Sequence, residues 1–402
     1  MDSLTQALLG AACGEAVFGR KIGNKAITWG AIAGTIPDLD VVSRVFLNHP
    51  VDELVYHRGF THSILFTIAA PLLLAWMGRN ARHWLLTLFF LSLYIFIVHF
   101  AFEEFSLFRT GLAISLTGLG FFLIIKWFIN HKIRWSNEPS FAEWYIMFFF
   151  AILTHWLIDA CTSYGTQIFE PFSSYRISFN NIGIVDPLYT VPLLLFLVIL
   201  RFYKDVKTRT ILNWTGLGLS TAYMAFTFYA KSLADSAFKQ SLAEQKISYT
   251  EFISYPTIFN SLLWQTTVMA DSTFYYGVYS IFDKDKKIEF IQLPMNQNLL
   301  QNIENEHYVK ILKWFAQGYY NVEDLGNGTL AINNLRFGLL GFGMVEGLKV
   351  PYIFRYELKK TESKKLEAIP VFPDPNKLEI NILLGKFWKR IWGEKSEKIQ
   401  AK

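Results

Sequence analysis

The sequence predicts a polytopic α-helical membrane domain of six to eight spans, residues 1–230, followed by an α+β extracytoplasmic domain, residues 231–402. Three observations predict this. The 402 residues are 52% apolar and only 18% charged, whereas soluble chains carry about a quarter of their residues as charges. The deficit is confined to one part: residues 1–230 hold 16 Lys/Arg and 14 Asp/Glu, and the remainder holds 22 and 19. Uncharged apolar runs also recur through that first part at near-regular intervals. Such a composition excludes intrinsic disorder and collagen-like fibres. Two cysteines, Cys13 and Cys161, are too few for a disulfide framework. The net charge of +5 forms no basic stripe with interleaved aromatics, which argues against nucleic acid as a partner. The opening Met1-Asp2-Ser3-Leu4 lacks the basic start of a cleaved signal peptide.

Taken in order, residues 4–18 and 26–36 are rich in Gly and Ala and suit a close-packed helical hairpin, the two weaker spans. The six firmer spans are 63–78, 84–102, 110–125, 144–158, 188–200 and 210–230. Runs 84–102 and 210–230 reach the roughly 20 residues that cross a 30 Å hydrocarbon core. The shorter ones need flanking aromatics and snorkelling Lys or Arg. One set of connections carries twelve basic residues, among them Arg20, Lys21, Arg82, Lys132 and Arg209. The other set, 37–62, 103–109 and 160–187, carries only Arg44, Arg58, Arg109 and Arg176. By the positive-inside rule the richer set is cytoplasmic, so both chain ends lie on the periplasmic side.

In residues 231–402, helical periodicity appears at 231–245 and 298–317. Period-two alternation appears at 272–282, 288–293, 329–337 and 352–358. Gly326-Asn327-Gly328 is a turn between two strands. The basic tail 386–402, with Trp388 and Trp392, suits a membrane surface.

Seven of the eight histidines fall in the apolar part, where ionisable groups are costly unless paired or metal-bound. They cluster with carboxylates on the predicted outer side. Asp38 and Asp40 follow an apolar helix. His57 and His62 flank Arg58 at the start of the next. His155 and Asp159, spaced i, i+4, share one helical face. Asp186 closes the same loop, and Glu15 lies in the first helix. Each cluster alone suits a helix cap or a buried hydrogen-bonded pair; three clusters on one membrane face point to a site. His49, with Asp52 and Glu53, is loop-borne and suits a supporting role, and Ser63 suits a helix N-terminus. Carboxylates with imidazoles and no thiolates suit Zn, Mn or Fe, as one or two divalent ions.

The strings Gly34-Thr35-Ile36-Pro37-Asp38-Leu39-Asp40, His57-Arg58-Gly59-Phe60-Thr61-His62-Ser63 and 155–165, with Asp2-Ser3-Leu4-Thr5, resemble the bacterial inner-membrane metal-dependent hydrolase family. Some of its members are labelled LexA-binding, inner-membrane-associated hydrolases. The resemblance covers about residues 1–230 and continues faintly into Tyr255-Pro256-Thr257. Many members carry His where this chain has Gln6.

The expectation is therefore a membrane metallohydrolase acting on an ester or phosphoester of a lipid-like or anionic substrate. Asp38, Asp40, His57, His62, His155 and Asp159 are its expected metal ligands. Asp38 or Glu15 is the expected general base, and Arg58 and Arg176 the expected binders of an anionic group. The alternatives are a transporter or ion pathway protein, or a non-catalytic membrane anchor with a structural metal.

Overall fold

The computed structural model describes residues 1–47, 49–102, 137–339, 345–346, 352–360, 366–372, 380–395 and 399–400. The predicted span 110–125 and the residues Arg109, Lys126, Lys132 and Arg134 lie outside them.

Ten α-helices are described: α1 (Ser3–Ile22), α2 (Lys25–Thr35), α3 (Pro50–Tyr56), α4 (Ile64–Asn80), α5 (Arg82–Phe102), α6 (Phe141–Cys161), α7 (Pro187–Leu200), α8 (Val206–Glu244), α9 (His307–Ala316) and α10 (Ile380–Ile391). The predicted hairpin forms from α1 and α2. Gly10 and Gly14 face Gly30 and Gly34 so closely that a Cβ on Gly30 would sit 2.2 Å from the Gly10 carbonyl oxygen. Small residues permit this backbone contact, and no larger side chain fits. Trp29 of α2 then packs edge-on to Trp144 of α6.

The expectation of six to eight spans is overturned. Among the described residues one helix, α6, is long and apolar enough to cross a membrane. The number becomes two if Pro50–His62 and Ile64–Asn80, bent by 62°, count as one broken span. The apolar α7 has 14 residues, which reach about 21 Å of a roughly 30 Å core. Helix α1 carries Glu15, Arg20 and Lys21. Helix α8 runs for 39 residues through both parts of the chain, so the division at residue 230 falls inside one helix.

The α+β expectation holds for the second part. Two antiparallel four-stranded sheets have the orders β1-β2-β3-β4 and β5-β6-β7-β8. The first holds β1 (Glu251–Pro256), β2 (Leu263–Met269), β3 (Thr273–Ser280) and β4 (Ile291–Pro294). The second holds β5 (Tyr320–Gly326), β6 (Thr329–Leu339), β7 (Tyr352–Lys360) and β8 (Leu366–Val371). The predicted turn joins β5 to β6, with Gly326, Asn327 and Gly328 all at positive φ. The predicted helix 298–317 shortens to α9, preceded by a 3-10 turn at Gln297–Leu300. Ala234, Ala237 and Phe238 of α8 pack against Trp264 and Tyr279 of the first sheet. Val51 and Leu54 of α3 enter the core of the second sheet beside Val309 and Phe315.

Candidate metal centre

Asp38, His62, His155 and Asp159 each offer one ligand atom, and the four atoms lie within 4.8 Å of one another. Three separate stretches deliver them. Pro37 stops α2 and opens a 3-10 helix whose first turn presents Asp38. His62 ends the short 3-10 turn Phe60–His62, and Ser63 caps α4 by accepting from the Phe66 amide at 3.0 Å. His155 and Asp159 project from the last turns of α6, on one face as their spacing predicts.

The distances fit a single ion. His62 Nε2 lies 3.0 Å from His155 Nε2, 3.6 Å from Asp38 Oδ1 and 3.4 Å from Asp159 Oδ2. His155 Nε2 lies 3.3 Å from Asp38 Oδ1 and 3.6 Å from Asp159 Oδ2. A tetrahedral metal with bonds of 2.0–2.2 Å separates its ligands by about 3.3–3.6 Å.

Tautomers agree with that fit. His155 Nδ1 donates to the Gly34 carbonyl at 2.6 Å. His62 Nδ1 faces Thr61 Oγ1 at 3.0 Å, and the Thr61 hydroxyl donates to Asp40 Oδ2 at 3.4 Å. Both Nδ1 atoms thus carry the protons, and both Nε2 lone pairs face inward at each other. Asp159 Oδ2 is buried with no hydrogen-bond partner. A cation bound here would satisfy both inward Nε2 lone pairs and give Asp159 Oδ2 a partner besides the guanidinium of Arg58, 3.3 Å away.

Asp40 and His57 pair with each other at the edge of this set, His57 Nδ1 lying 3.1 Å from Asp40 Oδ1. Asp40 also accepts the Arg58 amide at 2.8 Å. Arg58 adopts φ +57, in the left-handed region, which turns that amide towards Asp40. The two residues predicted as ligands therefore flank the four-atom cluster. Burial alone would raise the Asp40 carboxyl. His57 and the Arg58 amide nevertheless hold the Asp40 carboxyl below the usual carboxylate range.

Neither arginine is left open to an anionic ligand. Arg58 Nε lies 3.3 Å from Asp159 Oδ2 and its Nη1 donates to Thr162 Oγ1 at 3.0 Å. Arg176 donates to the carbonyls of Leu54, His57 and Gly165 and stacks on Tyr164. Burial pushes its guanidinium down to about 10. Glu15 is held by Arg209 in a bidentate pair, at 3.0 and 2.6 Å, further along α1. That pairing separates it from the cluster and from the general-base role.

His49 stacks on Tyr308 and Asp52 meets His307, so that loop contacts the second part of the chain. Asp186 caps α7 and accepts from Tyr223 and Ser261. Gln6 touches the cluster, a contact that composition could not assign. Its Nε2 donates to Asp159 Oδ1 at 2.9 Å, and the Met1 amine contacts the same oxygen. Its one sequence signal was its place opposite a family histidine.

Residues 1–234 match the family described as YdjM inner membrane protein. Inner membrane protein YbcI of Escherichia coli (strain K12) is 30% identical over 145 residues, covering 35% of this chain and 69% of that protein. No solved structure matches. The motif resemblance is thus borne out at the level of the family and of the inner membrane. With its four-donor centre built from those motifs, the chain belongs to the YdjM inner membrane protein family.

Proposed function

We propose that the chain is a metal-dependent hydrolase acting on an ester or phosphoester. The observation that carries this is the convergence of four N/O donors of which only Asp38 is partly exposed, its side chain at 19% against 0% for the other three. A divalent Zn, Mn or Fe ion bound there supplies Lewis-acid polarisation of a carbonyl or phosphoryl oxygen and lowers the pKa of a coordinated water. His57, half-buried and held through Nδ1 by Asp40, has its ring centre 6.4 Å from that of His62 and is placed to move a proton. Phe60, Ile64 and Leu65 are exposed beside His62, and support a substrate with a lipid-like tail. With Arg58 and Arg176 engaged inside the protein, carboxyl esters and phosphoesters stand level.

A metal-loaded preparation should turn over some member of a panel of carboxyl-ester and phosphoester lipids. His57→Ala should lower kcat by about 10²–10⁴-fold with the metal retained. No turnover across the panel with full metal occupancy would remove the hydrolase reading. The second reading, a structural metal in a membrane anchor, would then stand, because four protein donors already complete a tetrahedral set.

We also propose that the metal centre and the second part face the periplasm. The basic end of the helices supports this: Lys21 pairs with Glu143 at 2.8 Å where α1 ends and α6 begins, and Arg82 pairs with Glu138 nearby. Gln6 meets Asp159 at the other ends of the same two helices. A reporter active only in the periplasm should work when fused after residue 402 and fail when fused after residue 139, just before α6; the reverse pattern would invert the orientation.

A further inference from the structure

Helix α10 has two unlike faces. On the inner one, Phe387 and Ile391 are buried against Leu263, with Leu262 and Val278 packed beside them. Arg390 is clamped by Asp283, Nη1 to Oδ1 at 2.6 Å and Nη2 to Oδ2 at 2.7 Å. Ser280 Oγ donates to the Ile391 carbonyl at 2.5 Å. The helix is thereby fixed to the first sheet.

The outer face carries Leu384 and Trp388, and Trp392 follows directly after the last turn; they are four residues apart and 54%, 61% and 51% exposed. That spacing places all three on one stripe. Trp392 stacks on Phe282, itself exposed, with ring centres 5.1 Å apart. Lys389 is exposed within the same helix. Large aromatics beside lysine match the chemistry of the bilayer interface, where indole rings sit at headgroup level and ammonium groups meet anionic lipid.

Continuity points the same way. Leu262, under α10, ends a loop in which Ile258 and Phe259 are exposed. The Phe259 amide donates to the Val185 carbonyl at 3.0 Å. Val185 lies just before α7, whose Leu188, Val191 and Leu195 are exposed as well. Exposed apolar side chains therefore accompany the connection from an apolar helix of the inner-membrane part to the loop beneath α10.

We infer that α10 lies in the plane of the membrane interface, with Leu384, Trp388 and Trp392 in lipid and its lysines on anionic headgroups. The second part of the chain is then attached to the bilayer at a point separate from the metal-bearing helices. This does not depend on the hydrolase reading.

The test uses the full chain in nanodiscs of phosphatidylethanolamine and phosphatidylglycerol, with a nitroxide on Trp388→Cys. The unsubstituted chain, retaining Cys13 and Cys161, measures background labelling, and Asp271→Cys in the exposed β2–β3 turn is the aqueous control. The ratio of oxygen to nickel-chelate accessibility should be several-fold higher at position 388 than at 271. It should fall when Lys389→Glu is added, and in discs of phosphatidylcholine alone. A ratio at 388 equal to that at 271 would overturn the proposal. Exclusion of both probes would also overturn it, since it signifies a protein partner. Equal immersion in neutral discs would overturn the anionic headgroup as ligand.

Discussion

Replacing His62 and His155 together by alanine is expected to leave the purified protein without divalent metal. The two Nε2 atoms supply half of the donors and are the closest pair of the set, at 3.0 Å. Each single replacement should weaken affinity beyond the 10–100-fold typical of losing an outer-shell partner. The double variant should lose little more than either single, because the donors act as a unit. Asp40→Asn tests the outer shell itself. It removes a carboxylate that touches His57, the Arg58 amide and the Thr61 hydroxyl, and should cost about 10–100-fold in metal affinity. Elemental analysis with competition against a chelator reads all of these. Full occupancy in His62→Ala, His155→Ala would sink the metal centre.

Glu15→Ala should destabilise the fold by about 3–5 kcal/mol, because it strands the Arg209 charge inside the helices. Both side chains of that pair are 4% exposed. Arg209 would keep its bonds to Asn24 and to the Tyr203 carbonyl, but neither partner is negative. Glu15→Leu with Arg209→Met should recover most of the loss, since an apolar pair of similar volume needs no compensation. Metal content should stay unchanged in both variants. Glu15 lies nine residues beyond Gln6 on α1, roughly 13 Å along the axis. Denaturant unfolding in detergent, paired with metal analysis, separates the outcomes. Loss of metal without loss of stability would return Glu15 to the site.

Much of the centre was legible because its signals are local. The i, i+4 spacing fixed His155 and Asp159 on one face, and Pro37 announced a helix end that presents Asp38. The allotment of Asp40 and His57 was not legible. It depends on the 3-10 rather than α geometry of Pro37–Phe46 and on the left-handed turn at Arg58, and neither leaves a mark in composition. Arg58 and Arg176 looked like anion binders because their partners, Asp159 and a set of backbone carbonyls, are distant in sequence. The span count failed because runs too short to cross were counted with flanking residues as spans: the run at 188–200 becomes a 14-residue helix and no longer. Strand β2 was missed because six of its seven residues are buried, so both faces are covered and the period-two alternation disappears. The β5–β6 turn was found because three consecutive positive-φ positions demand Gly and Asn.

The insertion of α3 into the core of the second sheet also orders events during synthesis. Asp38, His62, His155 and Asp159 have all been polymerised once residue 159 is added. The core that receives Val51 and Leu54 is built from residues between Leu300 and Ala368. Roughly 200 more residues must be translated before α3 has anything to dock against, which at 5–20 residues per second takes about 10–40 s. During that interval the four ligands exist while Tyr164 and Arg176 lack Phe315 above them. Birth order thus gives the nascent chain a window in which its ligands are made before the layer over Tyr164 and Arg176, and docking of the late-made half closes it.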